Sequence, residues 1–289
     1  MASPGFAEAV KQFTEYLTGY QQSSRRTIRA YVADLKMFAR FAASLDGGEA
    51  GPGDITRENI MQYAMTLRGA ATSKRRRLAT LSSFFGFLQA VGIVMQNPAT
   101  RIPLPRVPQG PAKTIPVAVY NHLLVHGKVP WQRCALVLLY ETGMRCCELV
   151  AIRVPDIDVV VSEVLVHGKG QKDRTIPLND RAMAEVAAYL IVRGHPDTDV
   201  LLVGIFGKAI RDHSIHRAMR RLNRAAGLNG DHVTAHMFRH TFATRLIQGG
   251  VDIATVQELL GHANIQTTGR YLHTDMRTKR AAVDMLAAA

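Results

Sequence analysis

Four short segments of this chain combine basic, imidazole or phenol side chains with neighbouring apolar runs. They read TGMRCCEL at 142–149, HGKGQKDR at 167–174, AHMFRHTFAT at 235–244 and LLGHANIQTTGRYLH at 259–273. Guanidinium groups can bind phosphate oxygens through paired hydrogen bonds, ammonium and imidazole groups can transfer protons, and a phenol can act as a nucleophile. These residue types are the ones that the transfer of a phosphodiester requires.

Each segment also has an ordinary structural interpretation. Arg145 and Glu148 are three residues apart, the spacing of an exposed ion pair on a helix. The GKGQK stretch lacks the GxxxxGK[ST] order of a phosphate loop and would suit a hairpin turn with solvated lysines. His236 and His240 lie one helical turn apart, which suits a metal ion, but no acidic residue lies between them and no third ligand is evident. Tyr271 alone is typical of the edge of a core. Taken separately, no segment identifies a function.

Together, the four segments resemble the motifs of the tyrosine recombinase (phage integrase) family, most closely its two-domain Xer-type members. TGMRCCEL is similar to the family's first arginine motif, GKGQKDRTIPL to its hairpin-lysine motif, HMFRHTFAT to its HxLRHTFAT box and LLGHANIQTTGRY to its LLGH…TTxxY block. The resemblance covers nearly the whole chain. Residue by residue, it implies six catalytic positions: Arg145, Lys169, His236, Arg239, His262 and Tyr271. The departures, at Met144, Phe238 and Cys146–Cys147, are expected to alter packing alone.

The resemblance implies a reaction in which a tyrosine attacks a DNA phosphodiester and forms a 3′-phosphotyrosyl intermediate. Tyr271 would be the nucleophile. Because an isolated phenol has a pKa near ~10, it needs a base, for which His236 is the candidate. Lys169, on a glycine-flanked hairpin, would protonate the departing 5′ oxygen, because nearby arginines can lower the pKa of its ammonium group.

The remaining positions would stabilise negative charge on the phosphate. Arg145 and Arg239 would bind its non-bridging oxygens, and His262 would donate a hydrogen bond to one of them. Glu148 would brace Arg145 from behind. The phosphotyrosyl ester keeps the energy needed for rejoining, so we expect neither a metal ion nor a nucleotide cofactor.

The elements that must position these residues are predicted to be mostly helices with a small antiparallel β-sheet. Apolar residues recur at three- and four-residue steps in the first part of the chain, which predicts a bundle of four helices, and the resemblance implies that this bundle is the family's core-binding domain. Its helices are expected at Phe6–Leu17, Thr27–Leu45, Ile55–Leu67 with Asp54 as the cap, and about Ser73–Ala90. The second part is expected to be an α+β catalytic domain.

The second part changes its hydrophobic period after opening as a helix. Short segments rich in β-branched residues predict strands at Ile157–Val161, Val164–His167 and Arg174–Pro177. Helices then resume at about Asp180 and are expected at His213–Ala226, Ala235–Gln248, Ile253–Leu260 and Thr278–Leu286.

A proline-rich stretch separates the two parts. Residues 97–113 contain five prolines, a density that no regular element tolerates. We therefore place a helical domain at 1–105, a linker at 106–113 and the catalytic domain at 114–289. The resemblance implies that the helical domain is a SAM-like core-type DNA-binding domain.

The charge of the chain indicates a polyanionic partner. Lys and Arg number 36 against 23 Asp and Glu, and residues 1–113 alone carry 15 basic and 7 acidic side chains, a net charge of +8. Nucleic acid is the leading candidate, and the family resemblance implies double-stranded DNA with inverted half-sites. The candidate DNA-binding residues are Lys74, Arg75, Arg76 and Arg77, with a weaker case for Arg25, Arg26 and Arg29. A solvated helix face is the ordinary alternative for these groups.

Two rival functions account for part of the pattern. A helix-turn-helix regulator would explain two apolar-patterned helices around Gly261, but not the intervals among Arg145, Lys169 and the HMFRH box. A type IB topoisomerase would use similar residues without exchanging partners. The sequence favours recombination and leaves open whether the task is integration, excision or resolution of DNA elements.

Apolar stretches, the cysteines and the two ends of the chain bear on its cellular location and on its contacts with other protomers. No apolar stretch approaches the roughly 20 residues that cross a bilayer, and the N-terminus lacks a secretory pattern, so we expect a cytoplasmic protein without a membrane partner. Three cysteines without a CxxC pair argue against a disulfide scaffold or a zinc knuckle. The apolar stripe in residues 276–286 would suit packing of the C-terminal tail on its own domain. The family resemblance implies instead that the tail docks on a neighbouring protomer and builds a tetramer on DNA.

Overall fold

The computed structural model describes residues 4–45, 51–106, 113–168, 173–228 and 232–261. The chain divides into two compact units, Met1–Gln109 and Gly110–Ala289, and the division falls within the predicted linker 106–113. Its described elements are mostly helices, with one three-stranded antiparallel sheet, which confirms the predicted fold class. None of the helices in the described ranges is both long and apolar enough to cross a membrane.

The described part of the first unit contains four α-helices around an aromatic core. They are α1 (Phe6–Gly19), α2 (Arg25–Ala42), α3 (Arg57–Thr66) and α4 (Ala71–Ala90). Phe38 of α2 is fully buried and meets the ring of Tyr63 of α3 edge to face, with centroids 5.0 Å apart. Phe13 of α1 meets Phe84 of α4 in the same way at 5.5 Å. Rings of this size bury a large apolar area, so a few of them join all four helices.

The prediction that Asp54 caps the third helix was wrong. This helix begins at Arg57, and Thr56 caps it by accepting a hydrogen bond from the backbone N–H of Asn59, whose side chain in turn accepts one from the Thr56 N–H. Asp54 instead accepts from the Gly51 N–H and closes a 3₁₀ turn at Pro52–Asp54. The reciprocal capping box between Thr56 and Asn59 therefore starts the helix two residues later than predicted.

The second unit is built around one buried helix. Its helices are α5 (Val117–His126), α6 (Pro130–Thr142), α7 (Cys146–Leu149), α8 (Asp180–Arg193), α9 (Asp212–Ala225), α10 (Ala235–Gln248) and α11 (Ile253–Leu260). Every residue of α6 from Cys134 to Thr142 is buried. An apolar run without a polar face has no solvent side, so α6 packs against both α8 and α10.

The sheet has the order β1 (Ile157–Asp158), β2 (Glu163–Val166) and β3 (Arg174–Pro177). Val164 of β2 pairs with Ile157 on one side and with Ile176 on the other. The first strand is shorter than the predicted 157–161, because the Asp158 carboxylate accepts hydrogen bonds from the N–H groups of Val160 and Val161 and turns the chain. The second strand accordingly lies one residue earlier than predicted.

The three cysteines carry free thiols in different settings. Cys134 is buried, Cys146 is half-buried and Cys147 is exposed. Burial, with a contribution from the neighbouring Asp212, raises the pKa of the Cys146 thiol to about 12. That thiol is therefore protonated at neutral pH in the absence of a ligand.

Candidate functional site

Arg145 occupies the turn between two helices and is fixed there by Glu148. Gly143, which has a left-handed backbone (φ 61°), is the C-cap of α6, and Arg145 is the N-cap of α7. The Glu148 carboxylate accepts hydrogen bonds from the Arg145 backbone N–H at 2.7 Å and from its Nη1 at 2.6 Å. Glu148 is buried, whereas the Arg145 side chain is 43% exposed. One carboxylate thus holds both the backbone and the guanidinium of Arg145 while leaving that guanidinium open to solvent.

Gly143 makes this turn possible in two ways. Its positive φ disfavours any residue with a Cβ. A Cβ at this position would also lie within 3.0 Å of two ring atoms of Phe242 and of the Phe242 Cβ. Phe242 is a core residue of α10. The close approach of α10 to the end of α6 therefore depends on glycine here.

A second arginine, Arg174, shares Glu148 with Arg145. Arg174 Nη1 and Nη2 donate to the two Glu148 oxygens at 3.2 and 2.9 Å, and Nε donates to the Leu259 carbonyl oxygen at 2.8 Å. Burial alone would raise the pKa of Glu148, but the hydrogen bonds from Arg174 and Arg145 and the charge of Arg174 lower it to about 2. Glu148 is therefore ionised at neutral pH and joins α7 to β3, and Arg174 extends this link to the end of α11.

Sequence reasoning assigned no role to Arg174, although a signal was present. Residues two apart in a strand share a face, and Arg174 is two residues before the buried Ile176. An arginine on the buried face of a strand requires a buried acid. Glu148 is that acid, and only the tertiary structure brings the two together.

Arg239 is almost fully buried in α10, with 2% of its surface exposed. Its Nη1 donates to the Gly143 carbonyl oxygen at 3.0 Å, and its Nη2 donates to the Leu260 carbonyl oxygen at 2.5 Å. This guanidinium therefore links two segments, the turn that contains Arg145 and the end of α11. Leu260, the residue bonded there, is two residues before His262 in the sequence.

His236 lies in the first turn of α10 and is exposed. Its ring meets that of His240 edge to face, with centroids 4.4 Å apart. His236 and Arg239 are three residues apart on the same helix, so they lie on neighbouring positions of one face.

Three of the six predicted catalytic residues, Lys169, His262 and Tyr271, lie outside the described residues. Lys169 belongs to the segment between Gly168 and Asp173. On either side of residues 169–172, the Asp173 carboxylate accepts a hydrogen bond from the Gly168 N–H at 3.1 Å and lies 2.9 Å from Nδ1 of His167. The hydrogen bond to Asp173 is the main cause of a raised His167 pKa, and the same bond lowers the pKa of Asp173.

The predicted DNA-binding residues of the first unit fall into two groups. Arg76 forms an ion pair and a hydrogen bond with the buried Asp34 of α2, and Arg77 Nε lies 3.9 Å from the same carboxylate. Arg75 is exposed and Lys74 half-exposed at the start of α4. Arg25, Arg26 and Arg29 are exposed along the first turns of α2. Asp34 thus pairs with Arg76 and Arg77 of the basic run 74–77, whereas Lys74 and Arg75 form the start of that run.

The described site is therefore a cluster with excess positive charge. Arg145, Arg174 and Arg239 come from α7, β3 and α10, and Glu148 is the acidic partner recorded among them. Such a cluster favours an anion at the exposed guanidinium of Arg145, because the charge of Arg174 is already matched by Glu148.

Comparisons with known proteins give a consistent result. Residues 118–278 match the phage integrase family, and residues 10–92 match the N-terminal SAM-like domain of phage integrases. A tyrosine recombinase of Pseudothermotoga lettingae is 33% identical over 286 residues, which cover 96% of this chain and 97% of that protein. Tyrosine recombinase XerC of Lactobacillus delbrueckii subsp. bulgaricus is 32% identical, with coverage of 92% and 94%.

Solved structures resemble this chain along nearly its whole length. The crystal structure of XerA recombinase is 27% identical, with a TM-score of 0.54 and coverage of 97% of this chain and 98% of that one. The Tn1549 transposon integrase in complex with a circular intermediate DNA is 18% identical, with a TM-score of 0.78 and coverage of 98% and 99%. At that identity, the second likeness concerns the fold.

Proposed function

The chain belongs to the phage integrase family and is a site-specific DNA recombinase of the tyrosine type, and from that premise we propose that its catalytic residues are Arg145, Lys169, His236, Arg239, His262 and Tyr271. The observation that carries the proposal is the position of Arg239. Its hydrogen bonds to the Gly143 and Leu260 carbonyls draw together the segments that lead into Arg145 and His262.

In the proposed reaction, the Tyr271 oxygen attacks the scissile phosphorus while His236 accepts the phenol proton. A Tyr–O–P bond forms, the P–O5′ bond breaks, and Lys169 gives a proton to the departing 5′ oxygen. Attack by a 5′-hydroxyl of another strand reverses these transfers and releases Tyr271. No bond energy is lost to water, so rejoining needs no nucleotide.

Charge on the phosphate is balanced by fixed cations. Arg145 binds one non-bridging oxygen, with its direction set by Glu148, and Arg239 and His262 stabilise the other. Arg174 does not contact the phosphate in this proposal. It keeps Glu148 ionised and in place, so that Glu148 can orient Arg145.

The two rival functions are not favoured. A helix-turn-helix regulator has no use for the buried Arg239 contacts or for the Glu148 network, and the family match extends over both parts of the chain. A topoisomerase of type IB would reseal the same strand. The relatives found across nearly the whole chain are recombinases.

We further propose that the protein acts in the cytoplasm as a tetramer on two double-stranded DNA sites, each with inverted half-sites. Solved lambda integrase structures include a dimer bound to a core site and a tetramer bound to a Holliday junction. The net charge of +13 supports a DNA partner. The C-terminal tail, residues 276–289, which we assign to contacts between protomers, lies outside the described residues.

The decisive experiment compares wild type with Tyr271→Phe. Selection of bound duplexes from a random library gives the site, and a labelled duplex carrying it is incubated with each protein. We expect the wild type to form a covalent adduct that survives denaturing electrophoresis and Tyr271→Phe to form none, because only the nucleophilic oxygen is removed. Gel-shift affinity should be nearly unchanged.

Two results would contradict the proposal. One is an adduct formed by Tyr271→Phe, which would require another nucleophile. The other is loss of cleavage in excess EDTA with recovery on adding one divalent metal, because the arginines and Lys169 are assigned the role of cations at the phosphate. Adduct formation in EDTA at an unchanged rate is the expected result.

A further inference from the structure

Beside the proposed active site, three side chains suited to binding a metal lie close together. Among the residues that the structure describes, Cys146 Sγ, a carboxylate oxygen of Asp212 and a ring nitrogen of His216 all lie within 4.8 Å of one another. Cys146 begins α7, and Asp212 and His216 are one turn apart at the start of α9. All three are half-buried, so they are shielded but reachable.

The spacing of the two ligands from α9 fits a tetrahedral ion. Ligands held 2.0–2.1 Å from such an ion stand about 3.3 Å apart, and His216 Nε2 lies 3.3 Å from Asp212 Oδ1. A histidine and an aspartate four residues apart on a helix often form a plain ion pair. The thiol of Cys146 distinguishes this site, because it comes from a different element and lies within 4.8 Å of a ligand atom of each residue.

We propose that Cys146, Asp212 and His216 bind a zinc ion that links α7 to α9. Thiolate, imidazole and one carboxylate are ligands of zinc, whereas calcium and magnesium prefer oxygen ligands. Binding replaces the Cys146 thiol proton by a zinc–sulfur bond and releases that proton to the solvent. Three protein ligands leave the fourth position for water.

The ion would stabilise the short helix that follows Arg145, and it would not set the direction of the Arg145 guanidinium, which Glu148 fixes. Cys146 is the next residue in the chain, and Arg145 is held in place by the N-terminal turn of α7 through Glu148. Zinc would add a second anchor to this short helix, from the side of α9. The site does not contact the scissile phosphate in our proposal, and its existence does not depend on the catalytic roles proposed above.

The test titrates zinc chloride into the chelator-stripped full chain by calorimetry. We expect one ion per chain and a rise in the thermal midpoint of about 5–10 °C at free zinc 100-fold above the dissociation constant. Loss of an outer-shell partner of a metal site lowers metal affinity by about 10–100-fold. Cys146→Ser and His216→Gln each remove a direct ligand, so each should lower the zinc affinity by more than that. The matched controls, Cys147→Ser and His213→Gln, change a neighbouring thiol and a neighbouring imidazole and should bind as wild type does.

Cobalt(II) supplies a readout that identifies the sulfur ligand. A thiolate-to-cobalt charge-transfer band should be present in the wild type and in Cys147→Ser, and absent in Cys146→Ser. Far-ultraviolet circular dichroism in chelator shows that each variant is folded. Zinc affinity unchanged in both Cys146→Ser and His216→Gln would overturn the proposal and place the ion elsewhere, for example at His236 and His240. Absence of stoichiometric binding by the wild type would also overturn it.

Discussion

Each oxygen of Glu148 accepts hydrogen bonds from both Arg145 and Arg174, two arginines that differ in their exposure to solvent. The Arg145 side chain is 43% exposed, whereas that of Arg174 is 9% exposed. The buried arginine pairs with Glu148 through two hydrogen bonds, and the exposed one is directed by the same carboxylate. Arg174 is thus a positioning residue, and Arg145 is the one that can reach a ligand.

We predict that Arg174→Met lowers the free energy of unfolding by about 3–5 kcal/mol, because it leaves Glu148 buried with half of its partners. Strand cleavage should fall by up to about 100-fold, the cost of a misplacement of roughly 1 Å at Arg145. Urea unfolding and the rate of covalent adduct formation measure the two effects.

The double variant Glu148→Met/Arg174→Met separates stability from positioning. It should recover part of the lost stability, since neither charge remains buried without its partner, while cleavage stays low because Arg145 has no brace. Full recovery of cleavage in the double variant would show that neither residue orients Arg145.

At the scale of elements, helix α4 contains two kinds of basic residue within one turn. Arg76 and Arg77 reach back to Asp34 of α2, and Thr80 Oγ1 donates to the same carboxylate at 3.1 Å. Asp34 is 4% exposed, so these contacts match a buried charge and join two helices of the first unit. Lys74 and Arg75 directly precede them in the same turn, and Arg75 is exposed.

We predict that Lys74→Ala/Arg75→Ala weakens binding to specific and random DNA alike and reduces the slope of log affinity against log salt by about 1–2 units. Its free energy of unfolding should stay within about 0.5 kcal/mol of wild type, the usual range for surface changes. Gel shifts at several salt concentrations and urea unfolding measure both quantities.

The matched variant Arg76→Ala/Arg77→Ala removes an equal charge from the same helix. It should lower the free energy of unfolding by about 1–3 kcal/mol, because Asp34 then lacks both cations. If the Lys74/Arg75 variant keeps the wild-type salt slope, these two residues are part of a solvated face.

At the scale of the whole molecule, the chain combines an uneven charge with a proposed assembly. Residues 1–113 contribute +8 of the net +13, so both parts are basic and both can face a polyanion. Inverted half-sites would place two protomers on each DNA site. Contacts between protomers then raise the effective concentration of the second one.

We predict that deletion of residues 276–289 leaves half-site affinity close to that of the full chain but reduces cooperative filling of the second half-site and strand exchange. Gel shifts on half and full sites measure the cooperativity, and the adduct assay on half-sites is the control for an intact Tyr271. Undiminished cooperativity would assign the tail to packing on its own domain and assembly to another surface.

The sequence by itself determined the fold class, the family and the segments in which the candidate catalytic residues lie. Helices α10 and α11 and strand β3 have the predicted bounds, because their hydrophobic period and their end signals are local. The cap of α3 and the end of β1 were missed, because side-chain hydrogen bonds set both: Thr56 and Asn59 cap each other, and the Asp158 carboxylate turns the chain.

Only the tertiary structure decided which side chains meet. Arg174 and Glu148 are 26 residues apart, and Arg239 and Gly143 are 96 apart, so no local pattern could pair them. The same holds for Cys146, which lies on α7, with Asp212 and His216, which both lie on α9. Burial makes these pairings specific, because a charged or polar group removed from water is stable only where the fold supplies its partner.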